Sequence, residues 1–289
     1  MSPYPPAPAP PAPPSDDRLA SVERAVRRMR DHLGEAQCLT DHAEAGLFSP
    51  FHFHRVFRSV TSVTPGRFLA ALRMAEAQRM MIRGRPRVTD VCTAVGYSSL
   101  GTFTTQFTRL VGMSPSRFKL LVDQYGDRSI GDIADTCDLA RAPGLPATTG
   151  PGPYEPTGHD SSGDITGEVT GAGPGASGLL FTGLYPHGVP QALPVGCTVT
   201  TGPGAVRLSP PDDGVHHVLA VWFDRDTRVA DALDDPAGAR RLVGAARAPR
   251  RGSPVPFTLR LRAPLISDPP IVVALPLLLA RAAAAAGGG

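Results

Sequence analysis

Long hydrophobic runs are missing from this 289-residue sequence. No apolar stretch reaches eighteen residues, the shortest length typical of a helix that spans a bilayer. The first fourteen residues are rich in proline and alanine, with neither a basic start nor a hydrophobic centre, so they do not resemble a secretion signal. The sequence therefore argues against a membrane protein and predicts a cytoplasmic one, with residues 1–15 as a disordered proline-rich tail.

Cysteine and lysine are also scarce. The four cysteines, Cys38, Cys92, Cys137 and Cys197, lack the paired spacing of zinc sites, and they fit reduced thiols better than disulfides. Lys119 is the single lysine beside 28 arginines, so abundant arginine alone is not evidence of nucleic-acid binding. We predict no metal site, no cofactor and no catalytic residue.

Charge is distributed unevenly along the chain, although the formal net charge is only +3. Residues 16–128 contain seventeen Arg and Lys against eleven Asp and Glu, a net charge of +6. Residues 129–289 contain twelve against fifteen, a net charge of −3. If the protein has a polyanionic partner, the first part of the chain is where it would bind.

Residues 40–118 contain an internal repeat, which organises the rest of the chain. The segment Ser49–Arg58 recurs as Ser99–Thr108, and the turns that follow recur as well. At an offset of fifty the matched pairs are Phe53 with Phe103, Phe57 with Phe107, Val60 with Leu110, and Val63 with Met113. So many matches at one offset indicate two copies of one structural unit.

Each copy has the pattern of a helix, a tight turn and a second helix. In the first copy Ser49 is a candidate N-cap and Pro50 occupies the first helical position. Phe53, Val56 and Phe57 then recur at helical spacing on one face. A helix-turn-helix motif places its second helix in the DNA major groove. The alternative for a single copy is an ordinary helical hairpin, and the repeat favours the motif.

A predicted helix over residues 65–82 connects the two copies. Eighteen residues at about 1.5 Å each give a rod of about 27 Å. Such a rod could hold two recognition helices about one turn of B-DNA apart. A further helix is predicted over residues 18–32, before the first copy. Together these features predict an all-α domain over residues 16–124 with tandem helix-turn-helix units.

These residues resemble the DNA-binding domain of the AraC/XylS family of bacterial transcription regulators. The motifs that carry the resemblance are Ser49–Phe57, Arg67-Phe68 with Arg73, Val95–Ser99 followed by Phe103 and Phe107, and Gly112–Pro115. The resemblance implies a sequence-specific transcription regulator and not an enzyme. Its implied partners are double-stranded promoter or operator DNA in the nucleoid and RNA polymerase.

Groove-facing positions of the two second helices are the predicted base contacts. They are Phe51, His52, His54 and Arg55 in the first unit, and Leu100, Gly101, Thr102 and Thr105 in the second. The resemblance assigns base contact in particular to Phe51, His54 and Arg55. The predicted phosphate contacts are Ser49, Arg58, Ser99, Arg109 and Arg117, with solvated surface charge as the alternative for the arginines.

Two considerations refine this site. His52 and His54 lie two positions apart on a helix, so their side chains point about 200° apart and do not converge on a metal ion. The second helix presents apolar and hydroxyl groups where Arg55 of the first can pair with a guanine edge. We therefore expect the first unit to supply most base readout and the second mainly to dock.

Glycine and proline dominate residues 141–178, where large apolar residues are almost absent, so residues 125–178 are predicted to be a flexible linker. Short apolar runs then alternate with turn residues and predict a small all-β sandwich over 179–280, followed by a disordered tail over 281–289. The predicted strands are 179–184, 195–200, 205–208, 215–223, 257–261 and 271–277.

The segment 202–221 weakly resembles transthyretin-like modules related to carboxypeptidase regulatory domains. We expect this companion domain to bind an unidentified small-molecule effector or a protein partner. The alternative to a regulator is an enzyme or ligand-binding protein tethered to DNA, such as a repair protein with a methyl-accepting cysteine. That alternative requires a cysteine with activating neighbours, which the four cysteines lack in the sequence.

Overall fold

The computed structural model describes residues 16–84, 86–136, 163–173, 176–186, 190, 192–234 and 241–286. The predicted tail over 1–15, most of the glycine-rich stretch, 137–162, and residues 287–289 lie outside these ranges. Among the described residues, no helix combines the length and the apolar character needed to cross a membrane.

Eight helices form the N-terminal half within the described ranges. They are α1 (Asp16–Asp31), α2 (Leu39–Gly46), α3 (Pro50–Thr61), α4 (Pro65–Arg83), α5 (Val88–Ala94), α6 (Leu100–Val111), α7 (Pro115–Tyr125) and α8 (Ile130–Thr136). The helices predicted for the repeat and for its connecting rod are present, with α4 one residue longer than predicted.

Helix α4 separates two hydrophobic cores. Phe68, Leu69 and Leu72 on one side of α4 pack with α1, α2 and α3 in the first core. Met74 and Met81 lie on another side and pack with α5, α6 and α7 in the second core. Because α4 is buried on both sides, it is the common wall of the two helix-turn-helix units.

Among the described residues of the C-terminal half, seven strands form two sheets. They are β1 (Ile165–Thr170), β2 (Gly178–Tyr185), β3 (Gly196–Thr200), β4 (Gly204–Leu208), β5 (His217–Asp224), β6 (Arg241–Arg247) and β7 (Phe257–Arg260). The smaller sheet has the order β4-β1-β7, with β1 and β7 parallel. The larger has the order β3-β2-β5-β6 and is antiparallel throughout.

The two sheets pack face to face, as the predicted sandwich requires. Leu180, Leu184 and Trp222 from the larger sheet meet Ile165 and Leu259 from the smaller one in a third core. The opposite face of the larger sheet packs against the helical half. Its side chains at Leu179, Phe181, Val221 and Phe223 join the second helical core instead. Strand β2 is consequently buried along its full length.

The region predicted as a linker contains regular structure at both ends. Helix α8 buries Ile130 and Ile133 against the sheet half, and the Ile130 amide donates to the Thr227 carbonyl at 2.8 Å. Strand β1 alternates buried and exposed residues. Its sequence, with threonine, glycine and glutamate between Ile165 and Val169, carries too few large apolar residues to stand out without its neighbours.

The C-terminal half is not all-β, which corrects the predicted fold class. It contains α9 (Val229–Leu233) and α10 (Leu275–Ala286). The strand predicted over 271–277 was wrong, because residues 271–274 form no regular element and residues 275–277 begin α10, whose alanine and leucine have high helix propensity. Helix α10 also extends past residue 281, where we predicted a disordered tail. Strand β6 escaped prediction because its alanines and glycine have weak strand propensity.

Candidate nucleic-acid interface

The backbone of the two helix-turn-helix units repeats in its turns as well as in its helices. Leu47 and Gly96 adopt left-handed conformations after the first helix of each unit, with φ of 62° and 81°. Ser62 and Gly112 do so after the second helix, with φ of 63° and 90°. The matching turns place α3 and α6 as equivalent recognition helices.

Buried aromatic rings orient both recognition helices. In the first unit the Phe57 ring lies 5.4 Å from those of Phe53 and Phe68. In the second unit the Phe107 ring lies 5.7 Å from those of Phe103 and Phe118. Since these rings occupy the inner face of each helix, the residues on the opposite face point outwards.

Capping differs between the two units. The Ser99 hydroxyl accepts a hydrogen bond from the Thr102 amide at 3.3 Å. Ser49 occupies the equivalent N-cap position, but its side chain makes no capping hydrogen bond, which differs from the predicted cap. The hydroxyl of Ser49 is exposed and lies beside Pro50, which needs no amide partner.

The outer face of α3 carries aromatic and basic side chains. Phe51 is 83% exposed, which is unusual for so large an apolar residue, and Arg55 and Arg58 are exposed as well. The His52 ring packs 4.6 Å from that of Phe48, and its Nδ1 lies 3.5 Å from Nη2 of Arg55. His52 is therefore half-buried and sits beside Arg55.

His54, the remaining predicted base contact of this unit, is also half-buried. Among the described residues, no group of three or more His, Cys, Asp or Glu side chains is arranged to hold a metal ion.

The outer face of α6 is smaller and uncharged at the predicted base contacts. Leu100, Gly101, Thr102 and Thr105 are all exposed, Leu100 to 44%. A positive charge comes only later in the helix, at Arg109, whose Nη2 donates to Oε1 of Gln106 at 2.7 Å. The two helices thus present different chemistry on similar scaffolds.

Arg73 of α4 ties the two units together, a role that sequence reasoning missed. Its Nε donates to the Leu33 carbonyl at 3.0 Å and its Nη2 to the Glu35 carbonyl at 2.6 Å, next to the first unit. Its guanidinium lies 5.8 Å from the centre of the Tyr97 ring in the second unit. Burial lowers the pKa of Arg73, and nearby Tyr97 acts in the opposite direction.

The sheet half packs on sides of the helical half that carry no predicted DNA contact. The buried Gln78 side chain donates to the Val272 carbonyl at 2.7 Å. The Ala274 amide donates to the Val111 carbonyl, at the last residue of α6. The predicted phosphate contacts Ser49, Arg58, Ser99, Arg109 and Arg117 are all exposed. The sheet half therefore leaves these predicted phosphate contacts exposed to solvent.

The helical half is similar to several known proteins. Residues 43–121 match the family model described as a helix-turn-helix domain. The uncharacterized HTH-type transcriptional regulator YobQ of Bacillus subtilis is 30% identical over 95 residues, which are 33% of this chain and 39% of that protein. The bifunctional transcriptional activator/DNA repair enzyme AdaA of the same species is 28% identical over 71 residues, 25% of this chain and 34% of that protein.

Solved structures align over the same share of the chain. The DNA-binding domain of the global transcriptional factor AdpA, solved with a target DNA, is 26% identical, with a TM-score of 0.35, over 36% of this chain and 94% of that one. The chain spans about two fifths or less of the length of the curated relatives named above.

Proposed function

Because residues 43–121 form an AraC/XylS-type helix-turn-helix domain, we propose that this protein is a transcription regulator that binds specific DNA sequences. The observation that carries the proposal is the pair of recognition helices, α3 and α6, each buried on its aromatic face and open on the other. Helix α4 holds them as one wall between two cores. A rod of about 28 Å suits two successive major grooves of one duplex.

Base readout is assigned mainly to the first unit. Arg55 can donate two hydrogen bonds to a guanine, a contact that discriminates by about 1–3 kcal/mol. The exposed Phe51 ring suits a thymine methyl, and His52 and His54 flank these two on α3. Leu100, Gly101, Thr102 and Thr105 of α6 can touch methyl groups but supply no charge.

Phosphate contacts are assigned to residues at the ends of the recognition helices and beyond. Ser49 and Ser99 begin α3 and α6, Arg58 and Arg109 lie near their ends, and Arg117 lies in the first turn of α7. Each is exposed. Such contacts fix the register of the protein on the duplex without reading sequence.

The sheet half is assigned the regulatory role, as the receiver of a small-molecule effector or a protein partner. It contacts α4 through Gln78 and α6 through Val111, so a change in its position reaches both recognition helices. RNA polymerase is the proposed partner at the promoter.

The repair-enzyme alternative lacks a specific supporting observation in the described residues. A methyl-accepting cysteine must be a thiolate with access to DNA. Cys92 is buried, and burial raises the pKa of its thiol, which disfavours the thiolate. Cys38 is exposed at the start of α2. Cys137 lies outside the described residues.

The experiment selects bound fragments from genomic DNA with the purified chain and then measures their affinity by fluorescence anisotropy over a salt series. A recovered motif that spans two adjacent groove turns, with a steep loss of affinity as salt rises, supports the proposal. Salt-insensitive binding without a motif contradicts it.

Two variants test whether the first unit supplies more of the base readout than the second. Arg55→Ala should lower the preference for the selected site over random DNA by about tenfold, the equivalent of about 1.4 kcal/mol. Thr102→Ala should lower it less. The matched control is Arg18→Ala, an exposed arginine in the first turn of α1. A larger loss from Thr102→Ala would reverse the assignment.

A further inference from the structure

A cavity of about 960 Å³ lies between the helical half and the larger sheet. Its sheet side is formed by Phe181, Gly183 and Tyr185 of β2 and by Val221 of β5. Its volume falls in the range of sites for small organic molecules, which occur preferentially where two structural regions meet. The cavity lies apart from the candidate DNA contacts.

Helix α4 forms the opposite wall with side chains of mixed character. Leu72 and Ala75 are apolar, whereas Glu76 and Arg79 are charged and contact each other as an ion pair. Across the cavity, Tyr185 is almost fully buried, and burial raises the pKa of its phenol. The phenol therefore stays protonated and keeps a hydrogen to donate.

Positive charge gathers at one side of the cavity, where α1 ends. Arg30 lines the cavity there and makes no ion pair or hydrogen bond with any residue that the structure describes. Arg30 is an exposed residue at the edge of the cavity, and burial of part of its side chain lowers its pKa. Burial also lowers the pKa of Arg79; Asp234 opposes this shift, and the charges of Arg83 and Arg30 add to it. Arg79 already has Glu76 as its partner, whereas Arg30 can pair with an anion in the cavity.

A further arginine that lines the cavity already has a carboxylate partner within the protein. Arg262 lines the cavity near the loop that precedes α10 and forms two hydrogen bonds to Asp268, at 2.7 and 2.8 Å. This bidentate pair has no need of a ligand charge. Arg241 also lines the cavity and has an interaction of its own, so Arg30 is the lining arginine that can receive a ligand carboxylate.

We propose that this cavity binds a small organic acid, with its carboxylate beside Arg30 and its apolar body against Phe181, Val221 and Leu72. The apolar walls suit an aromatic or aliphatic body, and the guanidinium at the edge suits a carboxylate. If the protein is a regulator as proposed above, this acid is its effector. Helix α4 forms one wall of the cavity and also holds both recognition helices, so occupancy acts on DNA binding.

Isothermal titration calorimetry of the full chain without DNA tests binding, with 2-naphthoate, 4-phenylbutyrate and decanoate as probes. At least one acid should bind saturably with one site per chain, and its neutral amide should bind about tenfold more weakly. Arg30→Gln should weaken the acid about tenfold, the loss of one charge-assisted hydrogen bond, and leave the amide nearly unchanged. Arg18→Gln, on the same helix but outside the cavity, should behave as the wild type.

A second variant tests the location. Ala75→Phe places a ring in the cavity and should weaken acid and amide alike by more than tenfold. No saturable binding by any of the three acids overturns the site. Equal binding of acid and amide, or equal losses from Arg30→Gln and Arg18→Gln, overturns the carboxylate position.

DNA affinity is measured separately, first without acid and then at saturating acid. An effector should change the affinity for the selected site by about fivefold or more. Acid binding with unchanged DNA affinity overturns the effector role but leaves the site. Acid binding by a chain that selects no DNA motif contradicts the regulator instead, so the two failures are distinguishable.

Discussion

In the first helix-turn-helix unit Phe57 packs edge-on against Phe68, and in the second Phe107 packs against Phe118 in nearly the same geometry. Their surroundings differ. The first core is formed almost entirely by the helices α1 to α4. The second core continues into the larger sheet and α10. The core of one repeated unit therefore belongs mainly to the helical half, with Ile266 at its edge, whereas the core of the other is part of the junction with the sheet half.

The exposed faces of α3 and α6 differ as the cores of the two units do. The unit with the separate core presents Phe51 and Arg55, side chains suited to reading bases. The unit in the shared core presents Leu100 and Thr102, which are suited to docking. A duplicated fold can divide its work in this way because the inner face sets the shape and the outer face is free to vary.

The largest effect should come from truncating the central ring of each core. Phe57→Ala and Phe107→Ala should each cost about 3–5 kcal/mol of the free energy of unfolding of the region that contains them. Trp222 is the single tryptophan and lies buried in β5, so its fluorescence reports on the sheet half during urea unfolding. Phe107→Ala should shift the Trp222 transition, and Phe57→Ala should leave it close to the wild type.

Leu120→Ala, at an exposed position of α7, is the control and should change neither transition appreciably. If Phe57→Ala and Phe107→Ala shift the Trp222 transition equally, the two cores unfold together and the comparison between the units fails.

Substitutions in the two matched turns, at Gly96 and Leu47, should change the stability of the protein in opposite directions. Gly96→Ala should destabilise by about 1–2 kcal/mol because alanine is strained at positive φ, and more because its Cβ would lie 2.9 Å from the Leu33 carbonyl oxygen. Leu47→Gly should change stability by no more than about 1 kcal/mol, on the stabilising side, because it removes the same strain from an exposed residue. Urea midpoints by circular dichroism measure both, and equal signs would contradict the equivalence of the turns.

The smallest effect concerns pH. His42 is buried in α2, where Val91 is its counterpart in α5. Burial lowers the pKa of His42 below 6.5; Asp41 opposes this shift and Arg28 adds to it. The unfolded chain therefore binds a proton that the folded chain rejects, so stability is full above pH 6.5 and falls as pH drops below it.

His42→Val should remove this part of the pH dependence and make the first unit resemble the second. The measurement is the difference between the wild-type and variant free energies of unfolding from pH 7.5 to 5, in which the contributions of the other titrating groups cancel. If this difference in free energy of unfolding stays constant with pH, the pKa of His42 is not lowered by burial in the folded protein.

Sequence reasoning succeeded for the helical half because its signals are local. Prolines at first helical positions and phenylalanines at helical spacing lie within a few residues of what they specify. The same holds for the exposure of Phe51 and Arg55, since the helical period alone turns them away from Phe53 and Phe57. Five of the six predicted strands correspond to β2, β3, β4, β5 and β7.

Long-range contacts account for what was missed. Strand β1 becomes a strand by pairing with β4 and β7, which lie 34 or more residues later in the chain. Arg73 reaches carbonyl groups about 40 residues earlier, and Gln78 reaches one 194 residues later. No window of sequence contains both partners of such contacts.

The sequence by itself determined that the chain contains two copies of a helix-turn-helix unit on a connecting helix, because periodicity, caps and turns act over one or two helical turns. Only the tertiary structure decided that the second copy shares its core with the larger sheet and that a cavity separates that sheet from α4. Those features depend on which apolar faces pack against each other. Because the apolar faces of helices and strands are chemically alike, the sequence of one face does not identify the face that packs on it.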